Sequence, residues 1–137
     1  FLCALIKSFS YIEKPFYYYL QRNGSILNKR VYDSKWEDIF DSIEYLYSKF
    51  AMNDLINEYH AELEYIYIEY LLHAPSLKFI EYEEGIKNIE KISQIMKEKF
   101  PDFQKNKYFK LENIKYKIIC TLLYHKKIKL VKLLLRK

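Results

Sequence analysis

A chain of 137 residues that is half hydrophobic and 30% charged is long enough for one modest core and too apolar to stay disordered. Its formal charge of +5 is unevenly placed: residues 105–137 carry eleven Lys/Arg against the single acid Glu112, and residues 1–104 carry twelve bases against seventeen acids, which excludes a uniformly basic surface. No apolar run reaches the roughly 18 residues of a membrane span, no signal-peptide pattern opens the chain, and Cys3 and Cys120 stand in no metal-ligand or redox spacing, which together fit a reducing cytoplasm.

The chain opens in Phe1-Leu-Cys-Ala-Leu-Ile-Lys7 with helix formers from the first residue and no cap, which suggests a sequence taken from something longer. In Ser10-Tyr-Ile-Glu-Lys-Pro-Phe-Tyr-Tyr-Tyr19 aromatic and β-branched residues favour extended structure, with short pieces at 9–12 and 16–20 and a bend at Lys14-Pro15. Tyr17 and Tyr19 then face one way and Tyr18 the other. Asn23-Gly24-Ser25 signals a turn.

From residue 34 the pattern is helical, as the scarcity of glycine (two) and proline (three) favours. Ser34-Lys-Trp-Glu37 has the form of a capping box, ahead of Trp36, Ile39, Phe40, Ile43, Tyr47 and Phe50 at helical spacing. Asn53 is placed to cap a second helix with the stripe Ile56, Tyr59, Leu63, Ile66, Tyr67 and Tyr70, which Pro75 should end near His73. A third helix is predicted from about Glu83 to Phe100, with Ile86, Ile89, Ile92, Ile95 and Met96 on one side and Pro101 after it. From about Leu111 the tail reads as one or two basic helices. On a helical wheel Ile128, Leu130, Val131, Leu134 and Leu135 share one arc, Lys129, Lys132 and Arg136 lie opposite, and Leu133 departs from the pattern.

The fifteen tyrosines, in company with much Ile, Lys and Asn, reflect coding bias more than a sugar-stacking surface. His60 and Glu64, four apart, have no further histidine at ligand spacing and read as a surface pair. Asp38, Asp41, Glu44 and Glu58 read as solvated helix faces.

Residues 1–30 resemble a recurrent segment of the bacterial family 2 glycosyltransferases that build surface polysaccharides. The matching order is a helix at Phe1 to Lys7, an extended piece at Phe9 to Ile12, the aromatic run Pro15-Phe-Tyr-Tyr-Tyr19 and the loop Gln21-Arg-Asn-Gly-Ser-Ile26. The stretch Phe100-Pro-Asp-Phe-Gln-Lys-Asn-Lys-Tyr108 and the basic apolar end after it are similar as well. The resemblance implies a mainly α chain with a short extended segment at its start. Residues 1–30 would be the last segment of an α/β catalytic domain, 31–104 a helical extension and 105–137 a basic amphipathic tail. The family's Asp-x-Asp motif and its acidic pair are absent from these residues, so the chain alone is expected to be inactive. It implies a nucleotide-diphosphate-sugar donor, a glycan or lipid-linked acceptor, and a divalent metal (magnesium or manganese) in the whole enzyme.

On this resemblance Arg22, Gly24 and Ser25 would meet the donor diphosphate. Developing charge on the leaving group calls for such donors: a planar guanidinium, close-approaching backbone amides and a hydroxyl. Tyr17 and Tyr19 are the acceptor-side candidates, the other reading of this aromatic run being packing into the core or an interface. The tail is expected to lie on an anionic membrane surface through Lys129, Lys132, Arg136, Val131 and Leu135, the other expectation being a helix packed on its own domain. No nucleic acid is expected, because the apolar arc is too continuous for a solvated arm. The alternative to an enzyme segment is a non-enzymatic helical module that recruits a partner or docks on a membrane, and uncovered apolar surface could also drive self-association.

Overall fold

The computed structural model describes residues 1–18 and 31–136, apart from the side chains of Leu2 and Cys3. Two compact units result, Phe1–Tyr32 and Asp33–Lys137. The first contains the short helix α1 (Leu2–Leu5), which the extended backbone of Ile6 (φ −84°, ψ 140°) ends. Residues 7–18 follow without regular structure. No strand occurs among the described residues, so the piece expected at 9–12 and the described part of the piece at 16–20 form no ladder there, while residues 19–20 lie outside the described residues. The chain is mainly α.

Among the described residues the second unit is built on seven α-helices. A 3-10 turn at Ser34–Glu37 leads into α2 (Asp38–Met52), which buries Phe40, Ile43 and Phe50 at the spacing the sequence shows. The cap is Asp33 and not Ser34: its carboxylate accepts from the Lys35 amide at 3.1 Å. The predicted box fails because Glu37 has partners distant in sequence, the Asn88 amide at 3.2 Å and the Lys87 ammonium at 3.6 Å.

Asn53 also takes a different part. It closes α2 instead of opening a helix, with its side-chain amide on the Lys49 carbonyl at 2.8 Å. The amides of Asp54 and Leu55 fold back onto Ala51 and Phe50, a Schellman ending in which Asp54 takes the left-handed conformation (φ 55°).

The central helix begins only at His60, as α3 (His60–Tyr67), and does not stop near His73. A π-helical stretch, Ile68–His73, joins it to α4 (Ala74–Phe79). The Ala74 amide reaches the Glu69 carbonyl five residues back. That widened turn makes room for the Pro75 ring, which in a regular α-helix would strike the carbonyl of Leu71. It also keeps side chains four apart on one face. Leu63, Tyr67 and Leu71, with Ile68, Leu72, Ser76 and Ile80, are all buried, and Phe79 stacks parallel to Phe40 at 6.4 Å.

Gly85 starts α5 (Ile86–Lys99), whose Ile89, Ile92 and Met96 are buried. After a 3-10 turn at Phe103–Lys105 come α6 (Lys107–Leu111), α7 (Ile114–Tyr124) and α8 (Ile128–Leu135). Asn106 and Asn113 supply the side-chain caps of α6 and α7. The unit has no break near residue 105: α6 packs on α3, and α7 packs on α5 and the π stretch. Each fully buried Leu, Ile, Phe or Met in this core contributes about 1.5–3 kcal/mol of hydrophobic stabilisation.

A second Schellman ending closes α7. Lys126 (φ 57°) bonds back to Leu123 at 2.9 Å, and Lys127 bonds to Leu122 at 2.8 Å. A non-glycine side chain in this conformation costs on the order of 1 kcal/mol, and lysine lacks the local hydrogen bonding with which Asp tolerates it.

Candidate functional site

Arg22, Gly24, Ser25 and Tyr19 lie outside the described residues. Tyr17 lies within them, in the first unit, and is 79% exposed, while Tyr18 is 88% exposed. The inward and outward alternation expected for an extended piece is therefore absent at this pair. Phe9, Tyr11, Ile12 and Phe16 are exposed as well, so the described part of the segment is a run of large exposed apolar side chains.

The tail helix divides its apolar residues differently from the predicted arc. Val131, expected among the membrane-contacting residues, is fully buried, whereas Leu133, which broke the pattern, is 62% exposed. With Val131 turned inward, the helical repeat carries Leu130, Leu134 and Leu133 outward along one flank. Lys129, Lys132 and Arg136, all exposed, lie along the other. Leu135 sits nearer the packed side, in a shallow groove shared with Leu77, Ile80, Lys132 and Arg136. The outward half of α8 is thus a leucine strip beside three cations, and no helix among the described residues is long and apolar enough to cross a membrane.

Between α3 and the segment 106–116 lies a ladder of tyrosine–carboxylate pairs that composition alone did not suggest. Tyr108 donates to Glu62, Tyr65 to Glu112, and Tyr116 to Glu69. Successive pairs advance along both segments in the same sense; Glu62, Tyr65 and Glu69 keep the three- and four-residue spacing of one helix face, while Tyr108, Glu112 and Tyr116 follow across the extended joint between α6 and α7. Lys107 adds an ion pair to Glu62 at 2.9 Å. These bonds hold the Glu62 carboxyl below its ordinary range, with the Tyr108 hydroxyl as the main cause.

The tyrosines shift the other way. The Glu112 carboxylate, helped by desolvation, pushes the Tyr65 phenol up to about 12. Burial raises Tyr67, and burial followed by Glu69 raises Tyr116. His73 leans on the Tyr116 ring at 4.2 Å, and burial lowers its pKa. Burial also pushes the Cys120 thiol up to about 12, which makes it a packed hydrophobe and not a nucleophile.

A phenol whose folded pKa exceeds its unfolded value stabilises fully below the unfolded value near 10, and that stabilisation is lost as pH rises through the folded one. Folding stability is therefore expected to fall from about pH 10 to about pH 12. The fall should be smaller for Tyr116→Phe. Chemical denaturation at several alkaline pH values, alongside tyrosinate absorbance, measures both.

Glu64, expected as a surface partner of His60, is instead buried and accepts from the Asn106 amide at 2.7 Å, while exposed His60 makes a T-shaped ring contact with Phe100 at 5.6 Å. Asp38, Asp41, Glu44 and Glu58 are exposed. Among the described residues no three His, Cys, Asp or Glu side chains approach closely enough to hold a metal ion.

A groove on the outer face of α5 is lined by Lys87, Lys91, Lys97 and Lys126 with Glu90 and Gln94, and has a volume of about 500 Å³. Sequence reading missed it, because lysines three and four apart on a helix look like any solvated face and Lys126 arrives from the turn between α7 and α8. No protein-family model matches the chain, and neither a curated protein nor a solved structure is found to be similar to it.

Proposed function

We propose that the chain is the C-terminal part of a family 2 glycosyltransferase of surface-polysaccharide synthesis that works against an anionic membrane. The observation that carries this is the order of features in residues 1–30: helix, extended piece, aromatic run, then the arginine-bearing loop Gln21-Arg-Asn-Gly-Ser-Ile26. In the whole enzyme a nucleotide-sugar donor and a divalent metal would be bound by protein outside these residues. Arg22 and Ser25 would face the diphosphate, where a bidentate guanidinium stabilises the charge that develops on the leaving group. Tyr17 and Tyr19 would line the acceptor side. The exposed aromatic run around Tyr17 supports the reading, since such a surface is suited to packing against further protein or to lining a groove.

The outward half of α8 supports the membrane part. Leucines beside Lys129, Lys132 and Arg136 suit an interfacial helix, which sets its apolar side into the headgroup boundary while its cations face anionic lipid. Each lysine or arginine near such a surface contributes on the order of 1 kcal/mol. A lipid-linked acceptor would then be met where it resides.

The test is sugar transfer by the full-length product of the parent gene, assayed with nucleotide sugars and a lipid-linked acceptor. Arg22→Ala is expected to lower kcat by about 100-fold, the scale of losing one donor to a developing charge. Unchanged kinetics would remove Arg22 from the site, and a parent gene without a sugar-nucleotide domain would leave the interaction-module reading in its place.

A further inference from the structure

We propose that the groove between α5 and the α7–α8 turn binds the phosphate headgroup of an anionic lipid, on the same bilayer that receives the leucines of α8; this rests on the membrane reading above.

The groove is built by two elements distant in sequence. α5 lays Lys87, Lys91 and Lys97 along one outward stripe; Glu90 is the one acid in the groove lining, and Glu98 on the same face accepts from Gln94 at 2.9 Å. At the floor of the groove the buried Ser93 hydroxyl donates to the Tyr124 carbonyl at 2.6 Å, tying α5 to the end of α7. Lys126, two residues on, therefore closes the groove.

The lysines there are held but not neutralised. The Lys91 ammonium lies 3.9 Å from the Phe40 ring centroid, and the Lys97 ammonium lies 5.5 Å from that of Tyr124. A ring face positions a cation yet leaves N–H donors for an anion. Among the described residues Lys91, Lys97 and Lys126 form no ion pair, and Lys87 shares Glu37 at 3.6 Å. Lys126 adds a second kind of observation: it occupies a left-handed position (φ 57°) that glycine fills at less cost. A strained lysine there is accounted for if its ammonium is needed at the groove mouth.

A lipid, and not a free phosphate, follows from what adjoins the groove. At Lys126 it meets a second hollow of about 330 Å³, lined by Lys126, Lys127, Ile128, Lys129 and Leu130. The wall thus passes from ammonium groups to a half-exposed leucine at the start of the outward strip of α8. A soluble phosphate needs no apolar continuation, whereas a phospholipid presents a charged head and an apolar body in that order.

Co-sedimentation with phosphatidylcholine vesicles, with and without phosphatidylglycerol, tests the proposal. The unaltered chain is expected to bind only the anionic vesicles. Lys91→Gln/Lys97→Gln/Lys126→Gln should weaken that binding about 100-fold, near fivefold per lysine. The charge-matched Lys35→Gln/Lys110→Gln/Lys115→Gln should weaken it far less, and circular dichroism verifies that each variant folds. Equal losses in the two triple variants, or none in the first, would overturn the headgroup site while leaving membrane docking intact. Docking is read separately by Leu133→Ser/Leu134→Ser. An unaltered chain that ignores phosphatidylglycerol would overturn the docking reading and the site with it. Titration with soluble glycerol phosphate distinguishes the sources: tight binding at the groove without vesicles would assign it to a free phosphate and overturn the lipid.

Discussion

Gly85→Ala is expected to destabilise the protein by about 3 kcal/mol, the upper part of the range for forcing atoms into a filled interior. Gly85 is buried, and a β-carbon built there would lie 2.3 Å from the Phe79 carbonyl oxygen and 2.9 Å from its carbonyl carbon and α-carbon. All three are backbone atoms, so no rotamer change relieves the clash. Backbone strain is not the cause, since φ at Gly85 is an ordinary −76°. The need is for close approach, where α4 ends and the chain turns into α5 through the bonds of Tyr82 to Phe79 and of Gly85 to Tyr82. Urea denaturation should show a lowered midpoint at unchanged slope. Lys87→Ala, two residues on and exposed, should stay within about 0.5 kcal/mol. A Gly85→Ala protein as stable as the original would mean that α4 and α5 separate freely at this corner.

The two helices legible in the sequence are those with uninterrupted stripes. Phe40, Ile43 and Phe50 mark α2, and Ile89, Ile92 and Met96 mark α5, because one buried face at a 3.6-residue repeat leaves no other reading. Pro75 misled because the rule that proline ends a helix presumes α geometry, and a π turn removes the clash on which the rule rests. Asn53 misled because asparagine serves either end of a helix. The left-handed Asp54 beside it settles which end, and no spacing pattern reveals a backbone dihedral.

The tail misled for another reason. A helix as short as α8 makes little more than two turns, so a wheel groups Val131 with Leu130 and Leu134 although only Val131 faces inward. The direction of that inward face is set by α7, not by α8 itself. The groove lysines show the same limit more sharply. Lys91 and Lys97 line a groove with Lys126 only because Ser93 brings the end of α7 alongside, a contact across 31 residues that local periodicity does not encode.

Asn106 offers the second large effect, and it separates two contributions that usually travel together. Its side-chain oxygen accepts from the amides of Tyr108 at 2.9 Å and Phe109 at 3.2 Å, which caps α6. Its side-chain nitrogen donates to the Ala61 carbonyl at 2.8 Å and to the Glu64 carboxylate at 2.7 Å. Asn106 and Glu64 are both buried, so water is poorly placed to substitute. Asn106→Ala should cost about 1 kcal/mol for the lost cap and about 2 kcal/mol more for a carbonyl and a carboxylate left without their donor, some 3 kcal/mol together.

Asn106→Asp keeps the cap, since aspartate accepts the same two amides, but replaces the donor with a second acceptor facing Glu64. Like charges at hydrogen-bonding distance repel strongly where solvent is excluded, so at neutral pH this variant should be at least as unstable as the alanine one. Denaturation midpoints of the two variants therefore apportion the effect: an aspartate variant near the original stability would mean that the cap carries nearly all of it. Hydrogen exchange at the Tyr108 and Phe109 amides gives the local reading, with faster exchange expected for alanine than for aspartate. The stakes exceed one cap, because Asn106 stands at the foot of the tyrosine–carboxylate ladder. Through Tyr108, Glu112 and Tyr116 that ladder fixes α6 and the start of α7 against α3 and the π-helical stretch after it, and α7 in turn sets the face that α8 turns outward.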